Sequence, residues 1–289
     1  VAESRSGTTA RRGKERSHSH PTGKQAGSVY LFQRNQACNI CSPIWTQIMK
    51  FTPLTGADHP TDAARFGHSV IFVPETESSA ALAVVGSPGY NRESGKVYIF
   101  HHSQASWMLF DSLNDSNWNH DDIKGGRFGS SINVDGDTIL VGSPGYSNGR
   151  GAVYVFRKSH DGKHFLASQA IYGPNDIKEG DNFGHSLSLS EHKAVVCAPY
   201  KSVEAIQVLG EPKLTPSAGA CYVYSRKHEA STFHFDQQLV PSNVLPRDRF
   251  GWDVSISGSQ LIVGQVEKSE EKLRPPRPVQ VIQTYCDEN

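Results

Sequence analysis

The sequence predicts an all-β protein, a β-propeller of four-stranded antiparallel blades. Three recurring elements carry that reading. Gly-x-Val-Tyr-x-Phe occurs at Gly27, Gly95 and Gly151, and as Gly-Ala-Cys-Tyr-Val-Tyr at Gly219. A Phe-Gly pair occurs at Phe66, Phe128, Phe183 and Phe250. Each pair is followed by Gly86-Ser87-Pro88, Gly142-Ser143-Pro144, Cys197-Ala198-Pro199 or, with the proline lost, Gly264-Gln265. Copies lie 55 to 68 residues apart. An internal repeat of that length decides the architecture before any single element does.

Taken in order, residues 1–26 are rich in Ser, Arg, Lys, Gly and His and nearly empty of large apolar residues. They read as a disordered tail or a long surface loop. The basic run Arg11, Arg12, Lys14 and Arg16 reads as part of a solvated tail. The repeats occupy 27–265. Within one unit, strand A follows Phe-Gly with alternating apolar residues, as in Ser130 to Val134. Asp135-Gly136 is a hairpin turn. Strand B, Thr138 to Gly142, is a continuous apolar run and so is expected to be buried on both faces. A Pro/Gly loop leads to strand C, the Gly-x-Val-Tyr-x-Phe element. Strand D is less regular: Trp45 to Phe51, Ser106 to Phe110 and Phe233 to Leu239. The step from Phe to the central Gly or Cys is 14 residues in the last three units and 20 in the first, an insertion around Pro74 to Ser79. No helical periodicity competes with this pattern. A β-sandwich would not repeat a four-strand unit with the same three signatures, so a propeller is favoured. Residues 266–289 contain the Pro-rich run Arg274 to Pro278 and read as a linker followed by the start of a further β domain, with a degenerate last strand at Pro278 to Tyr285 as the alternative.

Phe-Gly, then Gly-Ser-Pro or Cys-Ala-Pro, then Gly-x-Val-Tyr-x-Phe resembles the FG-GAP repeat. That repeat builds the seven-bladed propeller of integrin α chains and the propeller of glycosylphosphatidylinositol-specific phospholipase D. The resemblance covers Gly27 to about Gln265 and implies material for about four to five blades, hence a partial or incomplete seven-bladed ring. A smaller closed ring is the alternative, with Gly27 to Phe51 and Phe250 to Gly264 completing one blade. The chain starts at Val1, and the expectation is a piece of a longer protein.

Composition excludes some functions. Lys plus Arg and Asp plus Glu are both 29, so there is no electrostatic case for nucleic acid or an anionic membrane. No apolar run approaches the roughly 20 residues of a membrane span. Many FG-GAP repeats hold calcium in the A–B hairpin, which needs several oxygen ligands at alternate positions. The turns here (Asn133 to Asp137, Ser190 to Lys193, Ser257 to Gln260) lack that count, and no cofactor or metal is expected. His68 and His185 follow Phe-Gly in two units where Ser130 and Trp252 stand in the others, which marks a structural slot. No nucleophile elbow, phosphate loop or metalloprotease helix is present, so no catalytic residues are assigned and the chain is read as not an enzyme. Asp62, Asp122, Asp181 and Asp248 precede each Phe-Gly and read as caps of backbone amides.

Cysteine usage does not fix the compartment. Cys197 and Cys221 lie on strands B and C of one unit and should face each other, so a cross-strand disulfide and two free thiols are both open. Asn114-Asp115-Ser116 is a single glycosylation sequon. The resemblance implies that the B–C and D–A loops share the ligand-meeting face. Those loops present Tyr90, Tyr146 and Tyr200 with Arg92 and Arg150 nearby, and Trp118 and His120. Aromatics with arginine are the composition of interface hot spots, although the tyrosines would also serve as packing between blades. The expected function is recognition or adhesion of a protein or glycan, extracellular or at the cell surface, without membrane insertion. The alternatives are the accessory propeller of a secreted hydrolase, as in that phospholipase D, or a structural scaffold.

Overall fold

A computed structural model describes residues 26–34, 45–53, 63–77, 79–103, 106–115, 125–205, 213–266 and 281–283. The chain opens with a two-stranded sheet, β1 (Val29–Arg34) and β2 (Trp45–Phe51), which are strands C and D of a unit. A complete blade follows: β3 (Val70–Val73), β4 (Leu82–Ser87), β5 (Lys96–Ser103) and β6 (Ser106–Leu113), paired in that order. The next blade is β7 (Ser131–Asp135), β8 (Thr138–Ser143), β9 (Ala152–Lys158) and β10 (Phe165–Tyr172). In the third, β11 (Ser186–Ser190) and β12 (Lys193–Ala198) are separated from β15 (Ala220–Ser225) and β16 (His234–Leu239) by a hairpin of its own, β13 (Val203–Ala205) and β14 (Lys213–Thr215). The last sheet is β17 (Asp253–Ser257), β18 (Gln260–Gly264) and β19 (Val281–Gln283). All pairings within these sheets are antiparallel.

These are successive blades of a β-propeller. Strand A of each blade touches strand A of the next (β3 with β7, β7 with β11, β11 with β17), so the A strands form the inner row. Among the described residues β1 pairs only with β2, and β18 pairs with β17 and β19. The ring is therefore not closed, and the alternative in which the first and last half-units share one blade is not adopted among the described residues.

The three signatures have distinct jobs in this architecture. Strand C alternates its side chains between two faces. In β9, Val153 and Val155 pack into the core shared with the following blade, while Tyr154 and Phe156 pack into the core shared with the preceding one. Both faces are buried, at 0% to 1% exposure. The Phe of Phe-Gly wedges onto the aromatic face of its own blade. Phe128 lies 5.6 Å from Tyr154 and 5.9 Å from Phe156, Phe66 lies 5.4 Å from Tyr98, and Phe183 lies 5.7 Å from Tyr222. Each such ring removed from water stabilises the fold by about 1.5–3 kcal/mol.

The glycine that opens strand C makes the joint to the next blade. Gly95 and Gly151 bridge to Phe128 and Phe183, and a Cβ on Gly151 would stand 2.0 Å from the Phe183 carbonyl oxygen. The glycine of Phe-Gly has φ of 84° to 89° in all four copies, as the third residue of a type II turn requires. In the first three copies the turn is closed by an i to i+3 bond, for example His68 N donating to Arg65 O at 3.1 Å. A serine hydroxyl adds a further link. Ser69, Ser131 and Ser186 donate to the carbonyls of Gly129, Gly184 and Gly251 in the next blade, each at 2.8 Å. Each bond contributes about 1 kcal/mol. Opposite the fifth and sixth residues of the motif, the C–D pairing always carries a bulge, which adds twist at the outer edge.

Cys197 and Cys221 are register partners on β12 and β15 and form a disulfide. In the other complete blades the same pair is glycine and valine, Gly86 with Val97 and Gly142 with Val153. The disulfide lies directly under Gly251, where a Cβ would come within 2.8 Å of the Cys221 sulfur.

Candidate functional site

Strand B ends, strand C begins, and the D–A loop returns at the same end of every blade, so these loops share one face. In the first two complete blades the B–C connection is a single turn, Tyr90–Glu93 and Tyr146–Gly149, whose inner residues are left-handed (Asn91 φ 46°, Arg92 φ 59°; Ser147 φ 48°, Asn148 φ 57°). Arg92, within the first turn, and Arg150, directly after the second, are exposed, and the two tyrosines are half-buried.

The predicted tyrosines are half-buried and packed locally. Tyr90 lies under the Lys96 amine, 5.2 Å from its ring centre. Tyr146 packs against Tyr172 at 5.7 Å. Tyr200 packs against Trp252 at 6.3 Å and His185 at 6.4 Å, with the Arg249 guanidinium 5.0 Å over its ring. The structure thus places the tyrosines in the walls of the face and the two arginines at its surface. Trp118 and His120 lie outside the described residues, as do Asp62 and Asp122. Asn114 is exposed directly after β6. Asp181 and Asp248 accept the Lys178 and Leu245 amides at 2.8 Å, the capping expected of loop-end aspartates. Asp135, at the A–B turn, accepts the Glu191 amide of the next blade. Among the described residues no group of three or more His, Cys, Asp or Glu side chains gathers into a metal-binding arrangement.

Two features of this face go beyond its predicted loops. The first is the inner turn. The residue before Phe-Gly is left-handed in every copy: Arg65 φ 53°, Arg127 φ 56°, Asn182 φ 57°, Arg249 φ 52°. Asparagine tolerates that backbone, whereas arginine incurs about 1 kcal/mol. The repetition of Arg before Phe-Gly was visible in the sequence; its backbone was not. The second is a cavity of about 340 Å³ in the third complete blade, walled by the β13–β14 hairpin and lined by residues including Asp176, Lys178, Lys201, Glu204, Leu214 and Gln238. The buried Lys201 amine lies 3.3 Å from Asp176 and 3.6 Å from Asp181. Burial raises the Asp181 carboxyl above the usual range, against the pull of the Lys178 amide and of Lys201. The signal for this cavity was the B–C step: Pro199 to Gly219 is 20 residues, against 7 from Pro88 to Gly95.

A sequence profile described as the FG-GAP repeat matches residues 120–156 and 233–274. Both matched segments carry the FG-GAP repeat. The two matched FG-GAP segments span Phe128-Gly129 through β9, and β16 through β18, so they include the two Phe-Gly joints at Phe128 and Phe250. FG-GAP propeller domains are generally non-catalytic, typical of extracellular proteins, and suited to protein interaction. Among the described residues no helix is long and apolar enough to cross a membrane. The crystal structure of Saccharomyces cerevisiae Sqt1 aligns with a TM-score of 0.47 at 14% identity, over 83% of this chain and 52% of that one. The chain therefore spans about half the length of that protein.

Proposed function

We propose that the chain is a non-catalytic recognition module of an extracellular or cell-surface protein, binding a protein or glycan through its B–C and D–A loop face. The observation that carries this reading is the exposure of Arg92 and Arg150 in the same two B–C connections as half-buried Tyr90 and Tyr146. Arginine together with tyrosine is a composition that interfaces favour. The buried disulfide and the exposed Asn114 support an oxidising, glycosylating compartment. The test is a binding screen of the purified chain against a glycan array and a panel of extracellular domains, repeated with Arg92→Glu/Arg150→Glu. Binding that the double variant abolishes supports the reading. A partner bound equally by both proteins, or no partner in either screen, counts against it.

A further inference from the structure

The inner end of the same face carries a second chemistry. Arg65, Arg127 and Arg249 occupy one repeated position, at the start of the inner row of strands, and all three hold a left-handed backbone there. The residues that follow Phe-Gly lie near these side chains. The charges of Arg65 and Arg127 both act on His68, and those of Arg127 and His68 both act on His185. His185 is 4.7 Å from Trp252, whose ring lies 5.6 Å from the Arg249 guanidinium. Arg127 reaches across Gly145 in the B–C loop, where a Cβ would stand 2.9 Å from its Nε. Compensating acids among the described residues are few. Glu93 reaches Arg65 only at 3.8 Å with both side chains about half exposed, a weak pairing, and Asp253 acts on His185. The Arg249 Nε is buried and makes no hydrogen bond to a described residue.

We propose that this inner rim is a receptor for the carboxylates of an acidic peptide segment, held by Arg65, Arg127 and Arg249 around His68 and His185. The fork of a guanidinium matches a carboxylate with two parallel hydrogen bonds. A peptide is favoured over a sugar because stacking a sugar needs an open aromatic face. The Trp252 ring already meets His185 and Arg249, and the Tyr200 ring already meets Arg249. Three arginines at one repeated left-handed position along the row of blades offer forks of the kind a row of carboxylates takes.

The proposal rests on the reading of this face as a recognition surface, but it uses different residues from Arg92 and Arg150, so the two can fail separately. The third repeat supplies the test substitution, since Asn182 fills the same left-handed position. Poly-L-glutamate is titrated at low ionic strength into the purified chain and into Arg65→Asn, Arg127→Asn, Arg249→Asn and the triple variant, with thermal midpoints measured alongside. Saturable binding by the native chain is expected, weakened about tenfold by Arg127→Asn and lost in the triple variant, with midpoints equal to or above native. Lys163→Gln, exposed in the C–D loop at the opposite end of its blade, is expected to keep the binding. Should the triple variant not fold, the single variants decide. Unchanged affinity in all of them overturns the proposal, as does a native chain that ignores poly-L-glutamate or that binds only dextran sulfate. Binding lost in Arg92→Glu/Arg150→Glu and kept in the Asn variants overturns it too, while leaving the recognition reading intact.

Discussion

The same hexapeptide meets opposite fates at two places in this chain. In β9, Tyr154 and Phe156 are 0% and 1% exposed; in β1, Tyr30 and Phe32 are 48% and 50% exposed. The strands themselves are alike. Val29 and Leu31 pack against the next blade just as Val153 and Val155 do. What differs is the other face. Tyr154 and Phe156 are covered by Phe128 and by Val84, Val97 and Ile99 of the preceding blade. Among the described residues nothing comparable covers Tyr30 and Phe32. The phenols register the difference: burial pushes the Tyr154 hydroxyl far above its ordinary range, while hydrogen bonds from Ser28 and Lys50 lower that of Tyr30. Strand C is thus a two-sided adhesive whose aromatic side works only when strands A and B and the Phe-Gly wedge are beside it.

The largest expected effect tests that statement directly. Phe128→Ala should cost about 3–5 kcal/mol in urea unfolding, and Phe32→Ala less than about 0.5 kcal/mol. Equal costs would mean that something covers the aromatic face of β1. Next comes the glycine joint. Gly151 and Gly125 have φ of 86° and 83°, but only Gly151 would drive a Cβ into a carbonyl. Gly151→Ala is expected to cost about 3 kcal/mol or more, and Gly125→Ala about 1 kcal/mol, by the same measurement. If the two cost the same, the close approach at the joint contributes nothing beyond backbone strain.

A smaller effect concerns the blade in which cystines replace the Gly–Val pair. Closing a sequence separation of 24 should contribute about 3 kcal/mol, so Cys197→Ala/Cys221→Ala is expected to lose about 2–3 kcal/mol. Hydrogen exchange should rise most at the Phe250 joint that the disulfide underlies. Exchange spread evenly over all joints would deny that location. The smallest effect sets buried against exposed titration. Asp115 is 3% exposed, and burial raises its carboxyl to about 6. Its folded pKa lies above the unfolded value, so its stabilisation is complete below about pH 4 and fades as pH rises through 6. Asp115→Asn should therefore raise stability by about 2 kcal/mol at pH 8 and by little at pH 4. A constant difference between the two pH values would count against a buried, proton-holding Asp115.

Much of this was legible in the sequence because each signature has one physical cause repeated several times. Strands D were read from Trp45, Ser106 and Phe233 and observed from Trp45, Ser106 and His234. The β13–β14 hairpin escaped because a long polar insertion lacks the repeat's pattern. The tyrosines could not be resolved from residues alone. A ring at a loop base suits both packing and binding, and only the Lys96, Tyr172 and Arg249 contacts show that all three are already engaged. The left-handed arginines were invisible for a different reason: a backbone dihedral leaves no mark on sequence when the residue is one that does not prefer it.

The serine links point one way. Ser69, Ser131 and Ser186 each give a proton forward to the next blade's glycine carbonyl. Every blade therefore has a giving side and a receiving side, and the row of blades has a vector. A duplicated blade inserted in the same orientation finds a donor behind it and an acceptor ahead; an inverted one faces donor to donor. Such a row can be lengthened or shortened in whole units without new chemistry at any joint. The series changes at Asp253, whose carboxylate accepts the Val254 amide and has no proton to give forward.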